Sequence, residues 1–164
     1  MPEMIRRSQL AEYLNTAPKA GSPEWSRIGF GVESKSNDYS PELDERQFID
    51  EDSPNSAVKR YTNTSEFDIS AAKGSAVFEF LDTLRITRAL YADAETQSLE
   101  VRLYDPIDGE PNTFAATLLN VAVAVNSAGD GAEDPLTLSA SVNGKGDPVQ
   151  GKFNYATKTF TPDV

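Results

Sequence analysis

Hydrophobic positions recur at two different spacings along this chain, and the change of spacing marks its elements. Val77, Leu81, Leu84 and Arg88 fall on one stripe at helical spacing, flanked by Phe80. This predicts an α-helix near 75–90, the only strong helical signal in the core. Residues 98–105 alternate instead, with Leu99, Val101 and Leu103 facing in and Ser98, Glu100, Arg102 and Tyr104 facing out. That is the period of a half-buried strand. Residues 114–126 form the most apolar strand, with Leu119, Val121, Val123 and Val125 on one face. Leu118, Asn120, Ala122 and Ala124 make its other face, which predicts cover on both sides. In 136–143, Leu136, Leu138, Ala140 and Val142 oppose Thr137, Ser139, Ser141 and Asn143.

Weaker patterns fill the rest. Residues 8–15 read as a short helix capped by Ser8, followed by a turn-rich linker over 16–24. Trp25, Arg27, Gly29 and Gly31 alternate with Ile28, Phe30 and Val32, a strand weakened by glycine. Residues 58–69 form another strand, rich in β-branched and aromatic side chains. Turn clusters occupy 105–112 and 127–135, and the chain closes with VQGKFN, a turn at YATK and a last strand at TFT. The sum is seven or eight strands joined by hairpins. It predicts a mainly β fold: an antiparallel β-sandwich or open barrel with one flanking α-helix.

Residues 34–57 differ in kind. They are polar and bounded by Ser, Asn and Pro, and ELDERQFIDED packs six carboxylates around Arg46. So long a polar stretch predicts an extended arm that orders against something else, with Phe48 and Ile49 as an apolar pair inside the charge. The cluster Glu42, Asp44, Glu45, Asp50, Glu51 and Asp52 lacks the spacing and central glycine of a calcium loop, so no metal is expected there.

Composition narrows the chemistry. With no Cys and no His, thiol and imidazole catalysis and the usual zinc sites are excluded. The net charge of −11 disfavours nucleic-acid reading, since such a surface repels phosphate. No apolar run approaches the roughly 20 residues of a membrane span, and the expectation is a soluble chain made in the cytoplasm. GDPVQGKF, residues 146–153, matches seven letters of a phosphate-loop pattern. Phe153 stands where a magnesium ligand belongs, Pro148 removes a donor, and no helix of useful length fits after Lys152. The expected reading is a glycine-bearing turn with Lys152 on the surface and Phe153 packed inward. Neither a cofactor nor an enzymatic activity is expected. Trp25 as a sugar-binding platform is the remaining candidate for ligand chemistry.

Several stretches together resemble one family. YLNTAPKAGSPEWSRIGFGVES is similar to the opening segment and first strand of the major tail tube proteins of long-tailed, non-contractile bacteriophages. NDYSPELDERQFIDEDS resembles their charged arm, with its aromatic–aliphatic step at Phe48–Ile49. VKRYTNTSEFDISAAKGSAVFEFL resembles the strand-then-helix unit, DAETQSLEVRLYDP the strand after it, and VNGKGDPVQGKFNYATKTFTP the closing hairpins. The likeness covers nearly the whole chain.

The resemblance implies a structural subunit. It divides the chain into an N-terminal segment, 1–24, that contacts neighbours, and a single domain over 25–164. Copies would form hexameric rings that stack into a hollow acidic conduit in the virion tail. The partners implied are the chain itself, a tape-measure protein, distal tail and tail terminator proteins, and DNA passing without specific binding. Arm residues Glu42, Asp44, Arg46, Phe48, Ile49, Asp50 and Glu51 are expected at contacts between subunits or rings. Glu100, Arg102, Thr137, Ser139 and Ser141 are candidates for the lumen lining. A β-sandwich binding module for a glycan or receptor, from a tail tip or decoration protein, is the alternative.

Overall fold

The computed structural model describes residues 1–164. After a single 3-10 turn, strand β1 (Leu10–Asn15) leads to β2 (Trp25–Arg27), β3 (Lys35–Asp38), β4 (Glu42–Arg46), β5 (Asn55–Arg60) and β6 (Thr64–Ser70). Helix α1 (Ala76–Thr87) follows, then β7 (Glu95–Pro106), β8 (Thr113–Gly129), β9 (Thr137–Asn154) and β10 (Thr159–Pro162). Eight strands make one antiparallel sheet in the order β2-β1-β7-β8-β9-β6-β3, with β10 beside β9. β4 and β5 pair only with each other. The expected mainly β architecture with one flanking helix is therefore present, in the form of a single curled sheet.

The long β8–β9 hairpin is the spine, pairing from Thr113 opposite Asn154 to Gly129 opposite Thr137. Its apolar side chains change face part-way along. Towards the hairpin tip, Val121, Val123, Leu138, Ala140 and Val142 point to one face and pack with Leu14, Phe67, Ile69 and the α1 residues Val77 and Leu81. Towards its base, Ala116 and Phe153 point to the opposite face and pack with Ala11, Tyr13, Trp25, Leu99 and Val101. The switch falls where pairing slips between Leu118 and Asn120, opposite Gly146–Pro148. Gly146 has φ +75, the left-handed backbone that a bulge needs.

Several expectations change here. The apolar character of 114–126 on both faces reflects this switch rather than cover on both sides, since Asn120 and Ala124 are exposed. GDPVQGKF is no turn between strands; it lies inside β9, where its glycine and proline form the bulge. Phe153 does pack inward, fully buried, and Lys152 pairs with Glu110 at the surface.

Residues 8–15 are a strand, not a helix. Leu10 and Leu14 have helical spacing, but a segment this short gains little from helix propagation. Strand pairing with β2 and β7 buries five of its six residues instead. The strand expected over 25–32 stops at Arg27; the following residues turn at Gly31 (φ +78), whose carbonyl accepts from Ser70 N. The stretch 58–69 is split between β5 and β6 by Tyr61–Asn63. Helix α1 starts where expected, with Ser75 Oγ accepting from Phe78 N, and ends at Arg88 in a left-handed cap.

Candidate functional site

Glu12 on β1 organises the inside of the curl. Its carboxylate accepts from Lys35 Nζ at 2.7 Å, Asn37 Nδ2 at 2.8 Å and Arg7 Nη2 at 2.9 Å. Asn37 Nδ2 and Tyr39 OH also reach Glu100 Oε2, at 3.4 and 3.3 Å. Burial opposes ionisation of Glu12, but Lys35 and the three donors outweigh it and hold its pKa below the usual carboxylate value. The Tyr39 phenol is pushed up, by burial first and then by Glu100. This network fixes the start of the segment that leads out to the arm.

The arm is narrower than its sequence suggests. Lys35–Asp38 belongs to the main sheet, pairing with β6 from Lys35 opposite Phe67 to Asp38 opposite Thr64. The projecting part is the β4–β5 hairpin, in which all six β5 residues are exposed. It carries Glu42, Asp44 and Arg46 on β4, with ion pairs from Arg46 to Asp44 and from Lys59 and Arg60 to Glu42. These pairs are solvent-exposed and add little stability. The tip is held by hydrogen bonds: Glu51 accepts from Phe48 N and Asn55 Nδ2 through its carboxylate, and its carbonyl accepts from Gln47 Nε2. Glu51 thus closes a turn that leaves Phe48 and Ile49 pointing to solvent, Ile49 at 109% exposure. Asp50 and Asp52 follow them in sequence and make no hydrogen bond or ion pair through their side chains. Phe48 and Ile49 thus form an exposed apolar step at the tip of the hairpin, the former at 61% exposure.

The candidate lumen residues fall on two faces. Thr137, Ser139 and Ser141 share one face of β9 with their β6 neighbours: Ser141 sits opposite Glu66, Ser139 opposite Asp68, but Ser141 is itself buried, at 8% exposure. Ser139 Oγ hydrogen-bonds Asp68. Across β8 and β7 the same face continues through Ala124, Ala122, Asn120, Gln97 and Glu95. It is a polar, acid-bearing surface on the back of the apolar core. Glu100 and Arg102 lie on the opposite side, where Arg102 Nη1 donates to Thr117 Oγ1 at 2.9 Å. Glu66 and Asp68 were missed, although their alternation with Phe67 and Ile69 in the sequence carries the signal. Trp25 is 3% exposed and packs in the core, so it offers no ring face to a sugar.

No family model matches the chain, and no curated protein matches it. Solved structures do. The hybrid solid-state NMR and cryo-EM structure of the SPP1 tail tube is 14% identical, with a TM-score of 0.57 over 90% of this chain and 78% of that one. The tail of an empty GTA particle, refined helically with C6 symmetry, is 7% identical, with a TM-score of 0.59 over 96% of this chain and 99% of that one. The chain therefore has the fold of these tail proteins along nearly its whole length.

Proposed function

We propose that this chain is the structural subunit of a phage tail tube, whose copies form hexameric rings that stack into a hollow conduit for DNA. The observation that carries the reading is the β4–β5 hairpin, which makes no sheet with its own body and exposes Phe48 and Ile49, in a chain whose fold is that of tail proteins. Only 24 of the 164 residues are buried, so much apolar surface is left for neighbouring copies to cover. Helical stacking with sixfold symmetry in the similar GTA tail supports the hexameric ring.

The polar face bearing Glu66, Asp68, Thr137 and Ser139 would line the channel. Acidic groups there repel phosphate, so DNA slides and does not stick. The arm and the N-terminal segment, including exposed Met1, Met4 and Ile5, would bridge subunits and rings. A tape-measure protein in the lumen and distal and terminator proteins at the ends complete the partners, in a virion tail assembled in the host cytoplasm.

Electron microscopy of the concentrated protein, and of the parent virion, tests this. Rings or tubes with sixfold symmetry are expected. A chain that stays monomeric under all conditions and has no place in a tail overturns the reading.

A further inference from the structure

A second surface on the chain complements the arm tip. β7 begins at Glu95 opposite Ala122, so the edge of β8 beyond that point has no strand beside it. The C-terminal end of α1 and the 3-10 turn Tyr91–Ala94 stand over this free edge and leave a groove of about 680 Å³. Its floor is Ala122–Ala128, and its wall is Leu84, Leu90 and Tyr91. Leu90 and Tyr91 are 69% and 89% exposed.

The charge of the groove runs against that of the protein. None of its 15 lining residues is acidic, although 26 of the chain's 164 residues are. Two are arginines: Arg85 pairs with Asp82, whereas the Arg88 guanidinium makes no hydrogen bond or ion pair.

We propose that this groove receives the arm tip of a second copy, a pairing that rests on the assembly reading above. Phe48 and Ile49 seat against Leu84, Leu90 and Tyr91, on the α1 side of β8 where Val123 and Val125 lie. Asp50 and Asp52, unpaired within their own chain, meet Arg88. Each surface supplies what the other lacks: an apolar projection rimmed by negative charge, and an apolar recess rimmed by positive charge. The contact is heterologous, tip to groove, so it propagates from copy to copy and suits an open stack.

The chain has no cysteine, so engineered pairs report unambiguously. In tubes oxidised after assembly, Ile49→Cys combined with Leu90→Cys should give a disulfide ladder of many chains, because each copy offers both halves. Either substitution alone should stop at dimers. Arg88→Glu should raise the protein concentration needed for assembly by about tenfold or more, and adding Asp50→Lys with Asp52→Lys should restore it. Wild-type tubes with no ladder from the double variant overturn the docking and leave the assembly reading intact. A ladder from Met4→Cys with Leu90→Cys instead assigns the groove to the N-terminal segment and also overturns it. A wild-type chain that forms no rings or tubes overturns both.

Discussion

Lys35 Nζ lies 2.7 Å from Glu12 Oε1, although β3 and β1 are separated along the sheet by β6, β9, β8 and β7. Five strand-to-strand steps would span roughly 24 Å in a flat sheet. The sheet therefore curls until β3, at one end, faces β1, next to the other end, and side chains rather than a backbone ladder close the gap. Both side chains are under 10% exposed, so the pair is a buried clasp between the N-terminal strand and the root of the arm.

Breaking one half of this clasp should be costly. Lys35→Met leaves the Glu12 carboxylate with Arg7 and Asn37 as its remaining partners, and a destabilisation of about 1.5–3 kcal/mol is expected. Lys35→Met combined with Glu12→Leu should recover most of the loss, because the desolvated charge is gone. Urea denaturation of the two variants checks this; equal losses would show that the attraction itself, not the desolvated carboxylate, dominates.

The same pair sets a pH dependence. Burial alone would raise the Glu12 pKa, but Lys35 and the hydrogen-bond donors bring the folded value below 4.5. A depressed folded pKa gives stability that is complete above the unfolded value and lost as pH falls through the folded one. Wild type should therefore exceed Glu12→Gln in stability at pH 7, and the gap should narrow steadily below about pH 4.5. Denaturation series at pH 7, 5 and 3 measure it; a constant gap would remove the ionised carboxylate from the account.

Gly151 is required for a different reason. It sits opposite Pro162 in the β9–β10 pair, and Phe160 lies over it. A Cβ at this position would meet Phe160 Cζ at 2.6 Å and press on the Thr161 carbonyl. Gly151→Ala should cost about 1–3 kcal/mol, and the lost order should be confined to β10. Limited proteolysis should then release the C-terminal residues while the rest of the chain stays protected.

The arm should be dispensable for folding. Phe48 packs in neither core cluster and is mostly exposed, so Phe48→Asp should shift stability by no more than about 0.5 kcal/mol. Circular dichroism should be unchanged while sedimentation shows assembly lost. An unfolded variant would mean that the arm belongs to the core.

How much of this was legible in the sequence depended on the range of the interactions involved. Leu99/Val101, Leu138/Ala140/Val142 and Val77/Leu81 all read correctly from local period, because one buried face repeats within a few residues. Leu10 and Leu14 misread as a helix, because their true partners are Arg102 and Ser98, far along the chain. The face switch at Leu118–Leu119 reads as an all-apolar strand until the bulge at Gly146–Pro148 is seen opposite it. The exposed tip at Phe48–Ile49 was legible as apolar residues inside charge, whereas the groove beside Arg88 and Tyr91 has no local pattern and reads as an ordinary helix end. Glu66 and Asp68 obeyed a visible alternation, but their neighbours Ser141 and Asp68's partner Ser139 lie more than 70 residues on, a pairing no local pattern carries.

Which way the polar face points in an assembly can be read chemically. Asp68 is exposed in the single chain and stands on β6 at one side of that face, between Phe67 and Ile69 that point to the core. If the face lines a channel, access to it in a tube is limited by the width of the bore, while access in free subunits is not. Asp68→Cys introduces the chain's one thiol at a position where a small polar side chain should be tolerated. A small maleimide should label it both in subunits and in tubes, entering from the ends. A maleimide carried on a polymer wider than the bore should label subunits fully and tubes hardly at all. Equal labelling of tubes by both reagents would place Asp68 on the outer wall. Protection from both would place it in a contact between copies, and in either case the acidic lining would have to come from another surface.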